Sequence, residues 1–95
     1  MPRLVLYSKP GCHLCEGLHE KLDQLAPLPV PLEVRDITQN PDWFAKYQYE
    51  IPVLCRVIEQ GETETEQPLP RLSPRAPLPR LAQMIQTYLG PFEAE

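Results

Sequence analysis

Two cysteines three residues apart, Cys12 and Cys15, are the side chains of this sequence best suited to chemistry. Thiols at this spacing lie one turn apart when they open a helix, so a disulfide between them needs little backbone movement. The apolar run at residues 4–7 predicts a buried strand before them, and leucines at helical spacing predict a helix after them. The pair therefore lies at a helix N-terminus, where free N–H groups and the helix dipole stabilise a thiolate.

The two thiols are expected to differ in exposure. Cys12 begins the helix and should be accessible, whereas Cys15 shares the side of Leu18 and Leu22 and should be shielded and less acidic. Thiol–disulfide exchange starts from a thiolate, so this asymmetry predicts Cys12 as the attacking thiol and Cys15 as the resolving thiol. The alternative for the pair itself is two small buried hydrophobic residues without chemistry.

Zinc binding is a competing interpretation of the same motif. Cys12, Cys15, Cys55 and a histidine would supply four ligands. Zinc sites, however, normally use two spaced ligand pairs, and this chain has one CxxC pair only. We therefore expect no metal and no organic cofactor, because the sulfurs themselves carry the electrons.

Composition limits the classes of function. The chain has 95 residues, of which 42% are hydrophobic, so we expect a single folded domain over residues 1–95. Three cysteines are an odd number, which argues against a secreted disulfide framework. With no signal-peptide pattern and no apolar run of membrane-spanning length, we expect a cytoplasmic protein without a membrane partner. A net charge of −4 and scattered basic residues give no support to nucleic-acid binding.

The hydrophobic patterns predict an α/β domain in the order β-α-β-α-β-β-α. Strands are expected at residues 3–8, 32–37, 51–58 and 63–72, and helices at 12–26, after Asn40-Pro41 and at 77–89. Leu14, Leu18, Leu22 and Leu25 should form the buried stripe of the first helix. Because prolines cannot donate a hydrogen bond to a neighbouring strand, the last strand should lie at an edge of the sheet. The acidic run at residues 59–66 should be a solvated hairpin.

This arrangement resembles the glutaredoxin type of the thioredoxin fold, and most closely the small glutaredoxin-like proteins classed as a domain of unknown function. The resemblance depends on Tyr7 to Cys15, on Asp36, on Asn40-Pro41, on Tyr47 and on Ile51-Pro52-Val53, and it covers roughly residues 3–60. It implies a four-stranded mixed sheet in the order 2-1-3-4 flanked by three helices. It also implies a small, monomeric dithiol–disulfide oxidoreductase that acts on protein disulfides.

The resemblance also suggests roles for residues near the cysteines. Pro52, after Ile51, corresponds to a cis-proline that lies against the active-site disulfide and orients a substrate chain. Lys9 corresponds to a lysine that meets a glutathione carboxylate. The Gly-Gly turn that binds glutathione in glutaredoxins is replaced here by residues 72–76, which include Pro74. Glutathione is therefore expected to be a weak ligand, and the electron donor is either glutathione or a reductase.

The sequence predicts less about three further side chains. His13 would stabilise the Cys12 thiolate if it were a neighbouring cation, or have little effect if it faced solvent. Cys55 lies in an apolar strand, which favours a buried structural cysteine over a second redox partner or metal ligand. Tyr7 is expected to be partly exposed beside the site.

The alternative for the whole protein is a non-catalytic adaptor, or a module that holds a metal with otherwise idle cysteines.

Overall fold

All the predicted helices and strands form in the expected order in the computed structural model, which describes residues 2–91. The strands are β1 (Pro2–Ser8), β2 (Leu32–Asp36), β3 (Val53–Gln60) and β4 (Thr63–Pro68). The helices are α1 (His13–Gln24), α2 (Pro41–Tyr47) and α3 (Leu78–Leu89). A short 3₁₀ turn, Ile37–Gln39, separates β2 from α2.

The four strands form one sheet in the order β2-β1-β3-β4. β2 runs parallel to β1, whereas β3 is antiparallel to both β1 and β4. This mixed sheet with three helices is the thioredoxin-like arrangement that the family resemblance implied. No helix within residues 2–91 is long and apolar enough to cross a membrane.

The central strand β1 divides the core into two clusters. Its side chains point alternately to the two faces of the sheet. Leu4 and Leu6 pack with Leu22 of α1 and Ile85 of α3. Val5 and Tyr7 pack on the opposite face, in the cluster that contains Tyr47 of α2 and Cys55 of β3. Both faces of β1 are closed to solvent, so its carboxyl end, from which the cysteine loop departs, is held in place.

Two expectations about exposure were wrong. Leu14, assigned to the buried stripe of α1, is 54% exposed, because it lies in the first turn and lines an open cleft instead of the sheet. Tyr7, expected to be partly exposed, is 0% exposed because α2 covers it: the rings of Trp43 and Tyr47 lie 5.8 and 4.5 Å from its own.

The last strand is shorter than predicted. β4 ends at Pro68, and Leu69 adds one more hydrogen bond, from its N–H to the Leu54 carbonyl at 2.8 Å. Beyond it, the prolines that follow have no N–H to donate to a ladder. The chain therefore leaves the sheet and runs as an irregular segment, residues 69–77, to the start of α3.

The segment before α3 is fastened to α1 by Lys21. Its Nζ donates to the carbonyl oxygens of Pro74, at 2.7 Å, and Ala76, at 2.9 Å. A lysine outside the leucine stripe of α1 would ordinarily face solvent and have no structural partner. The contact instead ties the first helix to the entry of the last one.

The start of α2 is built as predicted at Asn40-Pro41. The Asn40 side-chain oxygen accepts hydrogen bonds from the N–H groups of Asp42, at 2.9 Å, and Trp43, at 3.3 Å. Pro41 occupies the first helical position, where its missing N–H costs nothing. This cap holds in register the short helix that covers Tyr7.

We predict that Asn40→Ala lowers the free energy of unfolding by about 1 kcal/mol, the usual cost of losing a side-chain N-cap. Urea denaturation followed by circular dichroism measures the change. The matched variant Asn40→Asp retains an acceptor and should stay close to wild type. An Asn40→Ala protein as stable as the parent would show that the cap contributes nothing.

Candidate active site

Cys12 and Cys15 form a disulfide at the start of α1, with their Cα atoms 5.3 Å apart. Cys12 is the N-cap residue, and its Sγ accepts a hydrogen bond from the Cys15 N–H at 3.2 Å. Cys12 is partly exposed, whereas Cys15 is 2% exposed. The cysteine whose sulfur accepts the helix N–H is thus also the more exposed of the two.

A tight turn brings the chain from β1 to this helix. The Cys12 N–H donates to the Lys9 carbonyl at 3.3 Å, and Gly11 adopts a φ of +81°. A side chain would strain this backbone conformation, which glycine adopts freely. The Pro10-Gly11 pair therefore turns the chain sharply, so that Cys12 caps α1 immediately after the central strand.

The other predicted site residues differ in their exposure and in the direction that they face. His13 is nearly fully exposed, with its Nδ1 3.9 Å from a Glu16 carboxylate oxygen. Lys9 is exposed on the turn. The Ile51–Pro52 peptide bond is cis, as the resemblance implied. Ile51 packs against the core cluster of Val5 and Tyr7, so Pro52, rather than Ile51, faces the open side.

A cleft of about 620 Å³ opens next to His13 and Leu14, the two residues between the cysteines, although neither cysteine is part of its lining. Its walls come from the first turns of α1, from the end of α2 and Glu50, from Pro52 and the start of β3, from the segment at residues 68–76 and from α3. His13 and Pro52 both line it, whereas Lys9 is not part of this lining. Sequence reasoning missed the residues of the far wall, because the proline-rich segment carries no periodic pattern that reveals which side chains turn inward.

The family of the chain follows from its sequence. Residues 3–86 match the family described as Glutaredoxin-like domain (DUF836). The chain belongs to this glutaredoxin-like family. No curated protein matches the chain significantly. The family description expresses likeness to glutaredoxins and assigns no reaction.

Cys55, the third thiol of the glutaredoxin-like chain, lies in a separate buried polar cluster. It is 0% exposed in the middle of β3, opposite Val5 of β1. Its Sγ donates to a Glu66 carboxylate oxygen at 3.3 Å, and the Tyr47 hydroxyl donates to the same oxygen at 2.7 Å. Glu66 is therefore a structural acceptor at this point, not part of the solvated hairpin that the acidic run predicted.

Burial and the nearby Glu66 carboxylate raise the pKa of the Cys55 thiol to about 12. Burial alone would also raise the pKa of Glu66, but hydrogen bonds, that from Tyr47 foremost, outweigh it and leave that pKa below its ordinary value. Glu66 thus stays ionised while Cys55 stays protonated. Cys55 has the properties of a structural thiol, as the sequence favoured.

Arg35 is a buried side chain that the sequence did not single out. It is 9% exposed on the α2 side of the sheet. Its Nη1 donates to the Tyr7 hydroxyl at 2.9 Å, its guanidinium lies 5.0 Å from the centre of the Trp43 ring, and its Nε donates to Glu33 at 2.8 Å. These contacts hold the Arg35 side chain beneath α2 rather than in solvent.

The four-ligand zinc set considered from the sequence is not assembled. Cys55 lies among the residues beneath α2, whereas Cys12 and Cys15 lie at the start of α1. Within the described part of the chain, residues 2–91, no three His, Cys, Asp or Glu side chains are grouped closely enough to hold a metal ion.

We predict that Cys55 in the native, oxidised protein reacts with iodoacetamide at pH 8 at least about a hundredfold more slowly than in the unfolded chain, since only its thiolate attacks. Mass spectrometry after timed quenching measures the rate, with the disulfide keeping the other two cysteines unreactive. Glu66→Gln should speed the reaction, because it removes the negative charge that opposes the thiolate. Equal rates in native and unfolded protein would contradict the buried, protonated thiol.

Proposed function

We propose that this glutaredoxin-like protein is a dithiol–disulfide oxidoreductase whose redox centre is the Cys12–Cys15 pair. One observation carries the proposal: Cys12 of the disulfide pair caps a helix, and the sulfur of this more exposed cysteine accepts a helix N–H. A helix N-terminus with a free N–H favours the thiolate that the exchange reaction needs. The pair acts on protein disulfides, and it is reduced again by glutathione or a reductase in a reducing compartment such as the cytoplasm.

The reaction proceeds in two exchanges. The Cys12 thiolate attacks one sulfur of a substrate disulfide, forms a mixed disulfide and expels the other substrate sulfur as a thiolate, which takes up a proton. The Cys15 thiol then loses its proton and attacks the Cys12 sulfur, releasing the second substrate thiolate. Two electrons pass from the dithiol to the substrate, and the Cys12–Cys15 disulfide remains.

Exposure and hydrogen bonding support this division of roles. An incoming disulfide can reach the partly exposed Cys12, whereas Cys15 is nearly closed to solvent. The Cys15 N–H, not the Cys15 sulfur, contributes to the helix-end stabilisation. Cys15 is therefore suited to an attack inside the protein, on a sulfur already bonded to Cys12.

Three residues are proposed to contact the substrate, and a fourth to position one of them. Pro52 and His13 line the cleft, where a bound chain would pass. Ile51 packs against the core and is proposed to hold Pro52, the next residue, at the cleft. Lys9 is exposed on the turn before Cys12, and we propose that it meets a negatively charged group of a substrate.

We predict that Cys15→Ser accumulates stable mixed disulfides with substrate proteins, because the first exchange remains and the second is blocked. Cys12→Ser should form none. Non-reducing gels, on which the heavier species vanish after reduction, provide the measurement. Cys15→Ser combined with Cys55→Ala is the matched control, and it should trap as well as Cys15→Ser alone, since Cys55 is buried.

Other outcomes of the trapping experiment decide between the alternatives. Trapping by Cys12→Ser and not by Cys15→Ser would reverse the two roles. Trapping by neither variant would favour the adaptor or metal-holding module over an oxidoreductase. In that case, release of a metal when the thiols are modified would distinguish the metal-holding module from the adaptor.

Glutathione is proposed to be a poor ligand for a reason visible in the segment before α3. Pro74 has no N–H, and the N–H groups of Arg75 and Ala76 donate to Ser73 within the turn, at 3.1 and 2.9 Å. These backbone donors are thus already engaged. A carboxylate such as the glutamyl end of glutathione would therefore meet few free N–H donors at this turn.

We predict that the protein reduces a glutathione mixed disulfide more slowly than a glutaredoxin does. Replacing the turn with Ser73→Gly and Pro74→Gly frees backbone donors and should raise the rate about tenfold, as expected for one added charge-assisted hydrogen bond. A coupled assay with glutathione reductase measures both rates. Glutaredoxin-like rates in the unmodified protein would show that the turn does not limit glutathione binding.

A further inference from the structure

The cleft beside the disulfide has an apolar lining that the redox chemistry itself does not require. Leu14 of α1, Pro52, Leu72 and Met84 of α3 contribute to it. Leu14 is 54% exposed and lines the cleft, so its side chain extends the apolar surface that the cleft presents to solvent. The volume of about 620 Å³ lies within the range of clefts that hold ligands. The cleft therefore has room for more than the single cysteine of a substrate.

Positive charges surround this apolar surface. The cleft is lined by Lys21, Lys46 and Arg71, with Glu50 as the only carboxylate residue in its described lining. The whole chain, in contrast, has a net charge of −4. The lining of the cleft thus has a local charge opposite to the net charge of the chain.

Two of these cations are held by neutral acceptors. Arg71 Nη1 donates to the backbone carbonyl of Glu50 at 2.5 Å, and Lys21 Nζ donates to two backbone carbonyls. Within residues 2–91, no carboxylate oxygen lies within 4.0 Å of either cation. A carbonyl orients a cation without cancelling its charge, so both remain able to attract an anion.

We propose that the cleft binds a segment of the substrate protein that carries apolar side chains and at least one carboxylate next to the reacting cysteine. This inference rests on the proposed oxidoreductase function and names its substrate class. The apolar side chains cover Leu14 and Leu72, and the carboxylate pairs with Arg71. A protein segment fits better than glutathione, because the donors of the turn before α3 are engaged.

Peptide binding tests the inference without any redox step. Three fluorescein-labelled octapeptides share a central serine in place of cysteine and two flanking leucines; they differ in carrying two glutamates, two glutamines or two lysines. Fluorescence anisotropy at 20 mM salt measures their affinities. We expect the glutamate peptide to bind at least about fivefold more tightly than the glutamine peptide, with the lysine peptide weakest. The preference should shrink at 500 mM salt, since screening shortens the reach of exposed charges.

Matched variants test which residues cause the preference for the glutamate peptide. Arg71→Gln should remove most of the advantage of the glutamate peptide, and Arg71→Lys should keep part of it. Arg80→Gln makes the same charge change on α3, outside the cleft lining, and should leave the preference intact. Leu14→Ser should weaken all three peptides by a similar factor. Circular dichroism verifies that each variant is folded.

Several results would overturn the inference. These are equal binding of the three peptides, no binding of any, or an equal loss in Arg71→Gln and Arg80→Gln. Displacement of the glutamate peptide by glutathione at a lower concentration than by unlabelled peptide would assign the cleft to glutathione instead. Serine peptides cannot exchange disulfides, so their binding is independent of the redox function. A preference for the glutamate peptide without trapping by Cys15→Ser would contradict the oxidoreductase function and support the cleft specificity. Trapping without such a preference would support the oxidoreductase function and contradict the cleft specificity.

Discussion

The burial of β1 on both faces is the constraint on which the rest of the structure depends. This strand is hydrogen-bonded to β2 on one side and to β3 on the other, and its residues from Leu4 to Tyr7 are at most 1% exposed. A strand held in this way cannot shift its register without moving apolar side chains into water. The turn that follows it therefore starts from a fixed point, and Cys12 caps α1 at a fixed place relative to the cleft.

The two faces of the sheet separate two kinds of thiol environment. At the start of α1, Cys12 is reachable and receives a helix N–H. Beneath α2, Cys55 is enclosed and donates to Glu66, which stabilises its protonated form. The surroundings of Cys12 thus favour a thiolate, whereas those of Cys55 favour the protonated thiol. In this structure Cys12 is bonded to Cys15, and Cys55 is a free, buried cysteine beneath α2.

The segment between β4 and α3 links fold and recognition. Its prolines prevent it from continuing the sheet, so it forms a wall of the cleft instead. Lys21 and Arg71 secure this wall through backbone carbonyls at Pro74, Ala76 and Glu50. The same contacts that shape the wall also present positive charge toward the cleft, which couples the stability of the segment to the kind of substrate it would accept.

The sequence by itself determined the features that depend on neighbours along the chain. Helical spacing and strand patterns predicted all seven main elements, Asn40-Pro41 predicted the start of α2, and the cysteine spacing predicted a pair at a helix N-terminus. The order of the strands and the cis bond before Pro52 came from resemblance to a known family, and both are present. Local patterns suffice for such features because propensity, capping and periodicity act within a few residues.

Only the tertiary structure decided which side chains meet across the fold. Arg35 is buried because α2 lies over it, and Leu14 is exposed because α1 begins beyond the sheet. Glu66 of the acidic hairpin accepts a hydrogen bond from Tyr47, which precedes it by 19 residues along the chain. Arg71 donates to the carbonyl of Glu50, which precedes it by 21 residues. Such contacts depend on how layers pack in space, and no periodicity in the chain encodes them.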